Sequence, residues 1–215
     1  MKKLISILIS ISLALFTISA SIAVPILSRG FYAAHVKLLK LPEQTGWTES
    51  EILEAYDEMM SFELKGTEFG TGVLKWSESG KAHFTDVRVL FQLDLKVAVI
   101  SGIILAVLLL LSLIWKPHRF RDRGPGFWAG AGMLVLFLII FALGATDFDR
   151  AFTVFHSIFF PGKTNWLFDP NVDQIIQILP EVYFRNCAIL VIGLILILCC
   201  AWMVLGRKHK NAGKN

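Results

Sequence analysis

Only three of the 215 residues are cysteine, and all three, Cys187, Cys199 and Cys200, fall in or beside the last apolar stretch. An odd number of thiols at membrane depth excludes a disulfide framework and a thiolate metal site, which leaves packing as their role. Charge is sparse too: Asp, Glu, Lys and Arg make up 18% of the chain. The net charge of +4 gathers in short clusters at the ends of apolar stretches. No basic stripe on a folded face is therefore available to bind nucleic acid. A G-x-S-x-G nucleophile elbow is absent, and so is any H-E-x-x-H-like spacing of zinc ligands. No internal repeat or low-complexity segment occurs.

What the chain has in abundance is apolar length. It is 55% hydrophobic with a mean hydropathy of +0.62, a composition typical of membrane proteins. A helix crosses the bilayer core in about 20 residues. Four stretches reach that length, and they divide the chain into a first span at 1–27, a large outer segment at 28–94, a second span at 95–115, a basic loop at 116–127, a third span at 128–146, a second outer segment at 147–187, a fourth span at 188–206 and a tail at 207–215. In the third span Ala129, Gly130, Ala131 and Gly132 allow close helix approach. The expected fold class is an all-α membrane protein with four transmembrane helices and a mainly helical extracellular region made from the two outer segments. The first stretch has a Lys2-Lys3 n-region and a passable Ser21-Ile22-Ala23 cleavage site. Its apolar run exceeds that of a signal peptide, so it is expected to be a retained anchor.

Orientation follows from the basic residues beside the spans. Lys2 and Lys3 precede the first span, Lys116, Arg119, Arg121 and Arg123 follow the second, and Arg207, Lys208, Lys210 and Lys214 follow the fourth. If every stretch spans, all three clusters fall on one side. This predicts cytosolic termini, with both polar segments outside the cell.

In the first outer segment, Thr48 and Glu51 have the spacing of a capping box. Behind it Ile52, Leu53, Tyr56, Met59 and Met60 recur at helical spacing, which predicts an amphipathic helix over 49–63 with Glu54, Asp57, Glu58 and Glu63 on other faces. Residues 73–76 read as a short strand. Ser77 or Ser79 is expected to cap a long helix that carries His83, Asp86 and Arg88 in its outer turns and runs on into the second span. His83 and Asp86, three apart, share a face. In the second outer segment, Asp147 is expected to cap a helix whose Phe148, Phe152, Phe155 and Phe159 form one aromatic face, which suits an interfacial position. Asp169-Pro170 reads as an N-cap and first helical proline. Pro180 is expected to kink or restart the chain before the last span.

The chain has five histidines. His118 and His209 lie in basic clusters and read as solvated, whereas His35, His83 and His156 fall outside, near the membrane surface. Ser157 adjoins His156, and helical neighbours do not face each other, so the pair is not a serine–histidine nucleophile. Zinc held by His83, His156 and Asp86 or Asp149 is geometrically possible. The other possibility is histidine acid–base chemistry at a lipid-facing surface without a protein nucleophile.

Three stretches carry a resemblance: His-Phe-Thr-Asp-Val-Arg at 83–88, Phe-Asp-Arg-Ala-Phe-Thr-Val-Phe-His at 148–156, and Phe-Phe-Pro-Gly-Lys-Thr-Asn-Trp-Leu-Phe-Asp-Pro at 159–170. Together with Tyr32, His35 and Leu179-Pro180-Glu181, they make the whole chain resemble the bacterial lipoprotein intramolecular transacylase family. The Phe-His…Asn-Trp-x-x-Asp-Pro run is the most specific part.

That resemblance implies an acyltransferase that needs no cofactor or metal. Its substrate is a diacylated bacterial lipoprotein, met in membrane lipid, whose N-terminal cysteine carries a thioether-linked diacylglyceryl group. The sn-2 acyl chain moves to the α-amino group and gives the lyso form. The substrate then supplies its own nucleophile through a ring of about eight atoms, a closure that depends on positioning. A free α-amino group titrates near 7.7–8.0 and needs a base at neutral pH, a role that suits histidine. The expected site has His83 and His156 as the acid–base pair. Arg88, Arg150, Asn165 and Trp166 would bind substrate or stabilise the oxyanion, and Asp86 or Asp149 would orient a ring. A non-enzymatic tetraspan sensor or assembly partner and a zinc-dependent membrane hydrolase are the competing readings.

Overall fold

The computed structural model describes residues 1–207. The tail residues Lys208, His209, Lys210 and Lys214 lie outside the described residues. Among the described residues the regular elements are helices: α1 (Lys2–Leu27), α2 (Arg29–Leu38), α3 (Leu41–Thr45), α4 (Glu49–Lys65), α5 (Glu78–Ile114), α6 (Pro125–Thr146), α7 (Phe148–Phe159), α8 (Ile175–Ile178) and α9 (Glu181–Leu205). Four of these, α1, α5, α6 and α9, are long and apolar enough to cross a membrane. The chain is thus an all-α membrane protein, and it divides into two compact units.

One unit comprises Met1–Ile22, Leu95–Leu143 and the chain from Val191. Its core is Ile5, Ile9, Leu13, Leu105, Leu108, Met133, Ile195 and Cys199, while most other apolar side chains of these helices face outward, as lipid contact requires. Close approach of α6 and α9 depends on Gly130, where a Cβ would stand 2.7 Å from the Cys199 carbonyl oxygen. Trp202 donates its indole N–H to Thr17 Oγ1 at 3.0 Å, which satisfies two polar groups at membrane depth. At one end, Ser6 donates to the His118 carbonyl at 3.0 Å, and Arg119 donates to the Gly206 carbonyl at 3.0 Å. The N-terminus, the basic loop and the end of α9 therefore meet at one end of this unit.

The other unit, Ala23–Asp94 and Gly144–Leu190, carries the polar chemistry. α4 begins with the capping box, Thr48 Oγ1 accepting from the Glu51 N–H and the Glu51 carboxylate from the Thr48 N–H. It ends at Gly66, whose φ of 76° is the left-handed C-cap conformation that glycine adopts without strain. Ile52, Ala55, Tyr56, Met59 and Phe62 bury one face of α4 against Tyr32, Val36, Leu41, Phe84, Ile175, Ile178 and Tyr183. Tyr32 stacks on Tyr56 at 3.7 Å and donates its hydroxyl to the Ile178 carbonyl at 3.0 Å.

Three local expectations are revised. Residues 73–76 form no strand: Leu74 N–H closes a turn on the Thr71 carbonyl, and Lys75 bonds through its backbone to Gln174. Asp169-Pro170 does not start a helix, because Asp169 accepts from the Asn171 and Asp173 N–H groups and turns the chain. That turn delivers the buried Asp173 carboxylate to the Ser77 N–H at 2.7 Å and the Ser77 hydroxyl at 2.9 Å. Glu63 is also not on a polar face; it is only 1% exposed.

Candidate active site

The first turns of α5 and the last turn of α7 each bury one histidine in the same unit. His83 is 5% exposed and His156 6%, with ring centroids 5.8 Å apart. Their surroundings are aromatic. Phe160 lies 5.0 Å from His83 and 5.6 Å from His156, Phe168 lies 5.4 Å from His83, and Phe152 lies 4.2 Å from His156. Trp166 stacks on His156 at 4.5 Å. Helical spacing explains half of this cage, since Phe152 stands one turn before His156 and Phe160 one turn after it.

His156 Nδ1 is 2.8 Å from the Phe152 carbonyl oxygen. A carbonyl can only accept, so Nδ1 carries the proton and Nε2 keeps its lone pair. Burial pushes the His156 imidazole below its ordinary value. His83 is pushed down to about 4, chiefly by burial and then by the neighbouring His156. Its Nδ1 is buried with no protein partner. Both rings are therefore neutral at pH 7, the form that accepts a proton.

A loop closes the site from the side. Asp86, one turn after His83, accepts from Lys163 Nζ at 2.5 Å and from Asn165 Nδ2 at 3.2 Å. The two donors hold the Asp86 carboxyl below its usual range against the opposing effect of burial. Trp166 donates its indole N–H to the Lys163 carbonyl at 3.1 Å, which fixes the ring that stacks on His156. Asn165 Oδ1 is buried without a protein partner.

His83, His156, Asp86, Asn165 and Trp166 are thus gathered in one place. The remaining candidates are held elsewhere. Arg88 lies over the Phe62 ring at 5.1 Å, beside Glu63. Asp149 lies beside Glu181 and holds that carboxyl above its ordinary range. Exposed Arg150 uses its backbone N–H on the Asp147 cap. His35 differs from the other two buried histidines, because its Nδ1 bonds the Phe31 carbonyl at 2.8 Å and its Nε2 faces Asn186 Nδ2 at 3.0 Å. Both nitrogens are spent on the scaffold. Among the described residues, no group of three or more His, Cys, Asp and Glu is placed to hold a metal.

Sequence reasoning did not single out Lys163 as the partner of Asp86, Phe160 and Phe168 as walls of the cage, or Glu63 as a buried acid. The run of aromatics around Pro161-Gly162 was a signal for the walls. Nothing local marks Glu63.

No match is found among the curated proteins. Among solved structures, the integral membrane lipoprotein intramolecular transacylase of Bacillus cereus is similar, with a TM-score of 0.86 at 22% identity over 95% of this chain and 94% of that one. A variant of that protein with a histidine replaced by arginine matches with a TM-score of 0.79 at 22% identity, covering 95% and 90% of the two chains. A variant with alanine at that histidine matches with a TM-score of 0.78 at 22% identity, covering 96% and 93%. At this identity these likenesses speak for the fold. The family model of the lipoprotein intramolecular transacylase Lit matches residues 7–184. Most of the sequence, including both buried histidines and the loop that encloses them, lies within that match, and the chain belongs to the lipoprotein intramolecular transacylase Lit family of membrane acyltransferases.

Proposed function

We propose that this enzyme moves the sn-2 acyl chain of a diacylglyceryl-modified lipoprotein to the α-amino group of the same N-terminal cysteine, with His83 and His156 carrying the proton. The observation behind this reading is the pair of buried, neutral imidazoles, one with a free Nε2 lone pair, inside an aromatic cage. The amine nitrogen attacks the ester carbonyl and a C–N bond forms. The histidine pair takes the proton that the amine sheds. The glycerol C2 oxygen leaves as the C–O bond breaks, and it receives that proton. No protein nucleophile is required, because the substrate brings its own.

Aromatic walls favour this partition in two ways. They exclude water, which would otherwise compete for the ester, and they strengthen every dipole aimed at the reacting atoms. The outward phenylalanines of α7, Phe155 and Phe159, offer an acyl chain a surface that matches its chemistry. The reading also places the site on the extracellular side at the membrane–water interface, with cytosolic termini.

The test is expression in a strain that makes only diacyl lipoproteins, followed by tandem mass spectrometry of an N-terminal lipopeptide. Transfer conserves mass, so fragmentation must show the acyl chain on nitrogen. His83→Ala and His156→Ala are each expected to lower conversion by roughly 10²–10⁴-fold, the range of positioned acid–base catalysis. Unchanged conversion in either variant removes that histidine from the chemistry.

A further inference from the structure

Asn165 has an uneven set of partners. Its Nδ2 donates to Asp86 Oδ2 at 3.2 Å. A carboxylate only accepts, so the amide cannot be turned the other way. Its Oδ1 consequently points away from Asp86, is buried, and has no protein partner. Leaving a buried acceptor unpaired is costly, so an atom in this position calls for a donor from outside the protein. The position is specific. Asp86 stands one helical turn from His83, and Trp166, next in sequence to Asn165, is the residue stacked on His156.

Resting on the acyl-transfer reading above, three substrate groups meet at this site: the α-amine, the ester carbonyl and the departing glycerol oxygen. Before reaction only the amine carries N–H. We propose that Asn165 Oδ1 accepts an N–H of the substrate's α-amino group and so orients the attacking nitrogen. One N–H of the Asn165 amide is committed to Asp86, which fixes the direction in which Oδ1 points. With one N–H held by Asn165 and another directed at the histidine pair, the nitrogen lone pair is aimed at the carbonyl carbon. Lys163, bonded to Asp86, keeps that carboxylate ionised and the amide locked.

The role differs measurably from oxyanion binding and from a purely structural one. Two variants suffice, purified in lipid nanodiscs and assayed on a synthetic diacylglyceryl-cysteine lipopeptide across pH 6 to 10. Asn165→Leu removes both polar ends. The exchange Asp86→Asn with Asn165→Asp keeps the hydrogen bond between the two positions and leaves a charged acceptor facing the amine. We expect Asn165→Leu to lower kcat by about 10-fold or more, the worth of one buried hydrogen bond. The exchange is expected to recover most of that loss. It should also move the limb of the kcat profile that reports amine deprotonation to higher pH by about one unit, because a carboxylate favours the ammonium form.

An unshifted limb in the exchange variant, or wild-type kcat in Asn165→Leu, overturns the proposal. If Asn165→Leu fails to fold, by thermal melting, the exchange variant decides alone. His83→Ala and His156→Ala run in the same assay. Loss of product in both together with an unshifted limb defeats the Asn165 role and leaves the histidine pair standing. Retained product in either with a shifted limb defeats that histidine's role and keeps Asn165.

Discussion

A histidine in a folded protein is defined by what its two ring nitrogens touch. His35 spends both on protein, on the Phe31 carbonyl and Asn186, whereas His156 spends one, and the Nδ1 of His83 is buried without a protein partner. This contrast separates scaffold from chemistry among three residues of the same type and burial. His83→Ala and His156→Ala should lose chemistry with little loss of fold, while His35→Ala should leave the Asn186 amide unpaired and lower stability by about 1–3 kcal/mol, read as a drop in Tm. The titrations have a sign as well. His83 lies at about 4 in the folded protein, below the ordinary 6.5. Acidification from 6.5 towards 4 protonates the unfolded chain first, so stability falls over that interval. Side-chain NMR should show His83 still neutral at pH 5.5. A His83 resonance titrating near 6.5 contradicts its burial.

At the scale of elements, two joints hold the site. The turn at 169–173 brings the buried Asp173 carboxylate onto the start of α5, where it accepts from the Ser77 N–H and hydroxyl. Hydrogen bonds to charged groups are worth about 1.5–3 kcal/mol each. Asp173→Ala should therefore lower stability by several kcal/mol and loosen α5 where it carries His83, with activity falling at the same denaturant concentration as structure. The second joint is α4 against α5, where Glu63 is buried and neither carboxyl oxygen has a protein partner. Burial raises its carboxyl to about 8, only partly offset by Arg88. Between 4.5 and 8 the folded protein keeps a proton that the unfolded chain releases, so stability falls as pH rises, by at most about 1.4 kcal/mol per unit. Glu63→Gln should flatten that slope and raise Tm at pH 8 while changing it little at pH 5.

For the whole molecule, the distribution of charge carries the topology proposal. Ser6 bonds His118, and Arg119 bonds Gly206, so the basic N-terminus, the basic loop and the end of α9 share one end of the membrane unit. The bias of Lys and Arg towards the cytosol then predicts that a thiol introduced at Arg119 is shielded from an impermeant reagent in intact cells, and one at Glu54 is labelled. The reverse pattern would overturn the inside-out assignment.

Much of this was legible in one dimension because it obeys local rules. Apolar runs of bilayer length, the Thr48–Glu51 box, the Asp147 cap and the aromatic spacing of α7 each depend on residues a few positions apart. The motif around His83, His156 and Asn165 sufficed to name the family, which the match over residues 7–184 established. The sequence by itself therefore determined the class of fold and of enzyme. It could not determine partnerships between groups far apart in the chain. Lys163 and Asn165 reach Asp86 across more than seventy residues, and the side chain of Glu63 is enclosed only when α4 packs. The tertiary structure alone decided which histidine is spent on the scaffold and which amide oxygen is left open, because hydrogen-bond satisfaction is settled by proximity in space.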